Sequence, residues 1–348
     1  MNLEGKRVLV TGGTGSLGKA LVRRILGGEM GHPISVTVFS RDEGKHHQMK
    51  VDWKHLGAAT DDIFYRNFED LLEFRVGDVR DYSSVLAAVR KSEVVFHAAA
   101  LKQVPSCEYF PVEAVRTNIE GAINLVRTIR ENDTPVELVV GISTDKACKP
   151  VNVMGMTKSL QERILLEGNL GQNKVTFTCV RYGNVVASRG SVVPLFREQI
   201  RRGGPVTLTS KVMTRFLITL DQAVDTVFDC VRIGLPGETF VPRLPATNIA
   251  DLVDVMINGE SIEVIEMGVR PGEKLHETMI SEEEMWRTSV RNQYYVIASI
   301  LPEISGNTHT PPLVGEYSSE KVTMDKMSLR QLLIDAGEFG VFEERGVQ

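Results

Sequence analysis

Lys6-Arg7-Val8-Leu9-Val10-Thr11-Gly12-Gly13-Thr14-Gly15-Ser16-Leu17-Gly18 is the stretch on which the fold turns. A short apolar run, Val8 to Val10, enters a loop with three spaced glycines, and Lys19 to Leu26 carries a helical pattern. An apolar run of this kind suits a parallel strand covered on both faces. Gly12 permits a tight turn, Gly15 lets a pyrophosphate approach the backbone, and Gly18 lets helix and strand pack closely. The N–H groups around Thr14, Ser16 and Leu17 then face the phosphates of a dinucleotide. A glycine triad alone is a weak signal; set between a strand and a helix it is far more specific.

Outward from there, strands and helices alternate. Val36–Phe39, Phe74–Val76, Val94–His97, Val136–Ile142 and Val175–Arg181 read as further strands, and Val112 to Arg130 as one long helix. The alternation predicts an α/β chain: a Rossmann-like doubly wound parallel sheet with a smaller C-terminal substrate-binding lobe. The dinucleotide domain is expected over residues 1–183 plus about 220–245, and the lobe over 184–219 and 246–315. A tail follows over 316–348, with a last helix from Met324 to Ile334. Lys50 to Leu72 is polar and reads as an insertion.

The second strand ends in Ser40-Arg41-Asp42-Glu43-Gly44-Lys45. A carboxylate there accepts from a ribose 2′-hydroxyl, whereas a guanidinium pairs with a 2′-phosphate through two parallel bonds. Arg41 and Lys45 favour NADP, and Asp42 keeps NAD open. Asp78, followed by Val79, can accept from an adenine amino group and can cap a helix, two roles that are compatible. Ala98, Ala99 and Ala100 leave room for a flat ring or a ribose against the backbone, and His97 reads as a packed core residue.

The chemistry is expected between Ser143 and Lys158. Asp145 and Lys146 follow a buried strand at its carboxyl end, the edge where open parallel sheets bind ligands. Met154 and Lys158, four apart, share a helix face. An acid, two amines and a hydroxyl from Ser143 or Thr144 can support proton transfers around a cofactor. Beyond Asn184, Arg215 and Arg270 sit in turn-like contexts, and two arginines with several backbone amides suit a diphosphate.

The charge balance of −5 argues against a nucleic acid as the main partner. Cys107, Cys148, Cys179 and Cys230 show no metal-like spacing and read as reduced thiols. No apolar run is long enough to span a membrane, and the N-terminus enters a strand directly, so a cytoplasmic protein without membrane insertion is expected.

Together these residues resemble the extended short-chain dehydrogenase/reductase superfamily, and more narrowly the inverting UDP-N-acetylglucosamine 4,6-dehydratases of bacterial surface-polysaccharide synthesis. The motifs are TGGTGSLG at 11–18, FSRDE at 39–43, GDVRD at 77–81 and HAAALKQVPSCEYFPVEAVRTNI at 97–119. STDKA at 143–147, RYGNVVASRGSVVPLF at 181–196, MTRFLITL at 213–220 and RPGEKLHE at 270–277 continue the match. Met154 stands where most of the superfamily has tyrosine, and the capsule-type branch resembled here also reads methionine. The tail from Glu316 to Ser319 resembles that branch's C-terminal latch.

The resemblance implies that Lys146 removes the sugar's carbon-5 proton, that Asp145 protonates the departing 6-hydroxyl, and that Lys158 holds the nicotinamide ribose. It further implies a lysine pKa lowered by desolvation and nearby cations, and an aspartic acid kept protonated. Met154 and Lys102 would line the sugar pocket. Asn184, Arg215, Arg270 and Glu273 would hold UDP, with Ser191, Val192 and Val193 meeting the uracil. Ser143, Tyr182 and Asn184 are expected to border the cofactor, and Asn118 to support the Ser143 strand. A homo-oligomer, a dimer or hexamer, is implied as well.

Overall fold

β1 (Arg7–Thr11) occupies the middle of a large sheet because its residues have nowhere else to go: Val8, Leu9 and Val10 are all buried. β1 pairs in parallel with β2 (Ser35–Ser40) on one side and β4 (Val94–His97) on the other. The sheet extends through β3 (Leu72–Val76) beyond β2, and through β5 (Leu138–Ile142) and β6 (Thr176–Val180) beyond β4. The computed structural model describes residues 1–56, 70–171, 174–186, 191–305 and 312–338. Among these the sheet has nine strands, in the order Thr288–Arg291, Tyr294–Ile297, Thr239–Pro242, β6, β5, β4, β1, β2, β3.

Alternate residues of the central strands feed two cores. Val8, Val10, Phe96 and Val140 join Leu21, Val22 and Ile25 of the helix Ser16–Leu26 and Val224, Val227 and Phe228 of the helix Leu220–Ile233. Leu9, Val95 and Val139 join Leu125 and Val126 of the helix Gly121–Glu131 on the opposite face. Helices on both faces make this a doubly wound α/β fold. Burying one such leucine or isoleucine contributes about 1.5–3 kcal/mol, so the period-two split of apolar residues sets the sheet's two sides.

The smaller lobe is built on Thr214–Ile218, flanked by Ala246–Asn248 and Asn184–Val185, with a second pair, Val206–Leu208 and Val264–Glu266. Its core includes Val193, Phe196, Leu208, Leu217 and Leu252, together with Leu329 and Leu333 from the tail helix Lys326–Asp335. Tyr317–Ser318 pairs antiparallel with Thr278–Ile280, and Met279, Ile280 and Tyr317 pack in the core of the large sheet, so the tail touches both cores. The antiparallel hairpin 288–297 lies within the range expected for the lobe, yet it extends the large sheet through Thr239–Pro242.

Several expectations are corrected. The long helix expected over 112–130 is present without a gap, as Pro111–Ala114, a π-helical segment Val115–Glu120 and Gly121–Glu131; the π-helical register is what the sequence did not show. Asn118 in that segment bonds both backbone groups of Leu101 (2.8 and 3.0 Å) and the Thr157 hydroxyl (3.0 Å), not the strand before Ser143. Arg215 lies within a strand, not a turn. The insertion read over 50–72 begins as the helix Glu43–Leu56; its residues 57–69 lie outside the described residues, as do 187–190, 306–311 and 339–348.

Candidate active site

β1 and β4 part company at the sheet's switch point, and the glycine loop and Ala98–Ala100 meet there. Gly12 has φ +67°, and a Cβ on it would stand 2.8 Å from the Ala99 backbone. A Cβ on Gly18 would stand 2.5 Å from Gly13 Cα. Ala98 and Ala99 donate to the carbonyl and hydroxyl of Thr11 at 3.2 and 3.3 Å. No side chain caps the helix Ser16–Leu26 at Gly15, and its first turn carries no acid. Uncapped N–H groups at a helix start over a side-chain-free floor fit the pyrophosphate of a dinucleotide.

At the end of β2, Thr14 Oγ1 donates to Ser40 Oγ at 3.1 Å, and Ser40 Oγ lies 2.7 Å from His46 Nε2. Arg41 is exposed, 3.9 Å from Asp78. Asp42 accepts the Lys45 N–H at 3.0 Å and pairs with its ammonium at 2.9 Å, which makes it a helix-start residue committed to Lys45. Asp78 is held by Arg80, whose Nε and backbone N–H donate at 2.8 and 3.0 Å. Burial opposes ionisation of Asp78, and Arg80 outweighs it, leaving the pKa below the ordinary value. The cap of the next helix, Tyr82–Val89, is Asp81 and not Asp78. The Val79 side chain is buried in the core, and His97 is buried with Nδ1 3.1 Å from Thr11 Oγ1; burial pushes its pKa down to about 3.

β5 ends at Ile142, Ser143 follows it, and a single turn, Asp145–Ala147, carries the next residues across the carboxyl edge of the sheet. Asp145 is fully buried, with its N–H on the Tyr182 carbonyl at 3.0 Å. Its Oδ1 accepts from Thr144 Oγ1 at 2.9 Å and from Lys146 Nζ at 3.0 Å, while Oδ2 has no hydrogen-bond partner among the described residues. Lys146 Nζ also donates to Asn184 Oδ1 at 3.1 Å and lies 3.4 Å from Glu277 Oε1. Burial lowers the pKa of Lys146, but Asp145 and Glu277 outweigh burial and the nearby Arg215, so the ammonium is held above the ordinary lysine range. The lowered value expected from sequence is thus reversed. The causes are Asp145 first and then Glu277, a buried acid in the motif RPGEKLHE to which sequence reading gave no role.

Asn152 caps the helix Val153–Glu167, accepting from Gly155 at 2.8 Å, and that helix presents Met154 and Lys158. Met154 is buried with Cys107, Ala114, Leu101 and Val104. Lys158 Nζ donates to the Ile142 carbonyl and, at 2.5 Å, to Gln161 Oε1; burial pulls its pKa down to about 8. The Ser143 hydroxyl donates to Glu162, so Thr144 is the hydroxyl beside Asp145. Tyr182 is buried, and burial pushes its phenol well above the ordinary range.

Beneath this loop, Arg181 spends all five N–H groups. It bonds Glu162 at 3.1 and 2.6 Å, Glu284 at 2.8 and 3.0 Å, and the Met279 carbonyl at 2.7 Å. Burial alone would raise the Glu284 pKa; Arg181 holds it at about 2. Sequence reading passed over this network because its members come from distant strands and helices.

In the lobe, Arg215 bonds three carbonyls, Thr214 at 2.7 Å, Leu275 at 3.0 Å and Lys274 at 2.8 Å, tying its strand to the 270–277 loop. Arg270 and Lys102 are exposed, and Glu273 carries a buried Oε2 without a hydrogen-bond partner among the described residues. Ser191 starts the helix Val192–Arg201, whose Val193 is core. A cleft of about 510 Å³ opens beside Lys274, lined also by Val151, Gly272, Glu273, His276 and Glu316. Asp145, Lys146, Met154 and Lys158 do not line it. Among the described residues no cluster of His, Cys, Asp and Glu could hold a metal, and no helix is long and apolar enough to cross a membrane.

A family model described as polysaccharide biosynthesis protein matches residues 8–299. A Rickettsia canadensis protein named UDP-glucose 4-epimerase is 40% identical over 297 residues, 84% of this chain and 82% of its own. A Methanocaldococcus jannaschii protein named as an uncharacterised membrane protein is 41% identical over 303 residues, 84% of this chain and 85% of its own. The X-ray structure of Pen from Bacillus thuringiensis superposes with TM-score 0.86 at 33% identity, covering 98% of this chain and 100% of Pen.

Proposed function

The chain belongs to the polysaccharide biosynthesis protein family, and from that premise we propose that it is an NADP-dependent UDP-N-acetylglucosamine 4,6-dehydratase that inverts carbon 5. The observation that carries this reading is the Asp145–Lys146 pair, 3.0 Å apart with the carboxylate fully buried, together with a thioether, Met154, four residues before Lys158, where most of the superfamily has a phenol. Transfer of one proton within the pair turns an ammonium and a carboxylate into an amine and a carboxylic acid. Those are the base and the acid that an elimination across carbons 5 and 6 requires. Closing water out of the site favours the neutral pair, since burial penalises charge. Because the groups interact strongly, they titrate as a unit.

When bound, the dinucleotide supplies the acceptor for hydride from carbon 4 and the donor that returns it to carbon 6. Gly12, Thr14, Gly15, Ser16, Leu17 and Gly18 would hold its pyrophosphate, Ser40 and Arg41 its 2′-phosphate, Asp78 and the Val79 backbone its adenine, and Lys158 its nicotinamide ribose. Water or the Asp145–Lys146 pair would take the 4-hydroxyl proton. Lys146 takes the carbon-5 proton, and Asp145 gives its proton to the leaving 6-hydroxyl, which departs as water. After hydride returns to carbon 6, a proton is delivered to carbon 5 from the opposite face. Asn184 fixes the ammonium of Lys146. Arg215, Arg270 and Glu273, with Ser191–Val193, would meet the UDP end, and Lys102 and Met154 the sugar.

A second reading, a UDP-sugar 4-epimerase, is favoured by the 40% identical relatives of that name. An epimerase expels nothing and needs no acid at Asp145. A proton NMR time course in heavy water with NADP⁺ and UDP-N-acetylglucosamine separates them. The expected result is a 4-keto-6-deoxy sugar with deuterium at carbon 5; appearance of the 4-epimer without loss of water would replace the dehydratase reading. NADP binding without turnover or binding of any UDP-sugar would replace both with a cofactor-binding regulator.

Arg41→Ala is expected to weaken NADP by about 10–100-fold, the worth of a charge-assisted bond to phosphate, and to leave NAD within about threefold. Fluorescence titration with both cofactors checks this; equal losses would count against the 2′-phosphate assignment.

A further inference from the structure

We propose that Glu277 is a positioning residue that sets how the proton is shared between Lys146 and Asp145. Its carboxylate is buried between two ammonium groups. Oε1 lies 3.4 Å from Lys146 Nζ and Oε2 3.5 Å from Lys274 Nζ. Neither contact is a hydrogen bond of ordinary length, so Glu277 acts on Lys146 chiefly through charge. Lys274 is anchored on the other side by the Cys148 carbonyl at 2.7 Å, and it borders the 510 Å³ cleft.

The backbone of Glu277 is held by the tail. Ser319 Oγ accepts the Glu277 N–H at 2.9 Å, the Ser319 N–H donates to the Glu277 carbonyl at 2.8 Å, and Ser319 Oγ lies 2.7 Å from Thr214 Oγ1. Thr214 precedes Arg215, the other charge near Lys146. The ammonium is therefore faced by Asp145 on its own turn, by Glu277 from the 270–277 loop and by Arg215 from the lobe strand. The two carboxylates keep the proton on Lys146; Arg215 opposes them. Lys274, by partly neutralising Glu277, weakens its hold. Base strength at position 146 is in this way set by a residue that need not touch the sugar.

The charge effect on Lys146 can be read without turnover, whereas its consequence for the reaction rests on the dehydratase reading above. The test measures acetylation of Lys146 by acetic anhydride at pH 8 against an internal amine standard, by mass spectrometry, in the full chain without ligands. Removing an opposite charge at this range shifts a pKa by about 1–3 units. Glu277→Gln is thus expected to label about 10-fold faster or more, and Glu277→Asp, which keeps the charge, within about threefold of the parent. Lys274→Met frees the full charge of Glu277 and is expected to slow labelling several-fold, a change of opposite sign that also serves if Glu277→Gln fails to fold. In turnover, Glu277→Gln should move the acid limb of the kcat profile to lower pH while KM for UDP-N-acetylglucosamine stays within about threefold. Unchanged labelling in Glu277→Gln, or faster labelling in Lys274→Met, would overturn the proposal. The predicted labelling shifts in an enzyme that turns over no UDP-sugar would instead remove the dehydratase reading and leave the role of Glu277 standing.

Discussion

Lys146→Ala is expected to abolish formation of the 4-keto-6-deoxy sugar, a loss of at least about 10²–10⁴-fold for a proton-transfer group, while NADP binding stays within about threefold. The side chain lies beside Asp145, Asn184 and Glu277, away from the glycine loop that carries the cofactor's pyrophosphate. Its removal also strips the fully buried Asp145 of its cation, while Glu277 keeps Lys274 at 3.5 Å. A thermal scan therefore belongs beside the kinetics, because unpaired buried charge lowers stability as well as rate. A folded variant that binds NADP and gives no product separates chemistry from folding. Turnover within tenfold of the parent would remove Lys146 from the mechanism.

Arg181→Ala is expected to cost about 3–5 kcal/mol of folding stability, the usual penalty for breaking a buried ion pair by deleting one partner. Arg181 is 3% exposed and is the shared cation of Glu162 and Glu284; alanine leaves both carboxylates buried with no guanidinium between them. Urea denaturation of the two proteins at pH 8 checks the magnitude. The sign of the pH dependence follows from Glu284, whose pKa Arg181 holds down at about 2. In the parent its contribution is complete above the ordinary carboxylate range and is lost as pH falls toward 2. The variant lacks that contribution, so the gap between the two proteins should narrow when pH is lowered from 8 to 4. A gap under about 1 kcal/mol at pH 8 would mean that the network contributes little. Because Glu162 also accepts the Ser143 hydroxyl, the same variant should loosen the turn that carries Asp145 and Lys146.

Legibility followed the range of the interactions. The turn at Gly12 and the close approach at Gly18 are requirements of local backbone geometry, and the glycine spacing states them outright. The apolar strands β1, β4 and β5 were equally plain, since burial on both faces leaves no polar position to confuse the pattern. The π-helical register at Val115–Glu120 was not, because Asn118 bonds Leu101 and Thr157, residues that no helical period connects to it. The hairpin at 288–297 was assigned to the lobe for a similar reason: its partner, Thr239–Pro242, lies far back in the chain.

The sequence by itself determined the doubly wound sheet, the dinucleotide loop, and the adjacency of Asp145 and Lys146, because each depends on neighbours along the chain. Only the tertiary structure decided the charge of that pair. Glu277 reaches Lys146 from the 270–277 loop and adds to the hold of Asp145, so the reading of a lysine with a lowered pKa gave way to one held charged. Coulomb energy depends on distance in space and on the surrounding dielectric, and neither is written in the order of the residues.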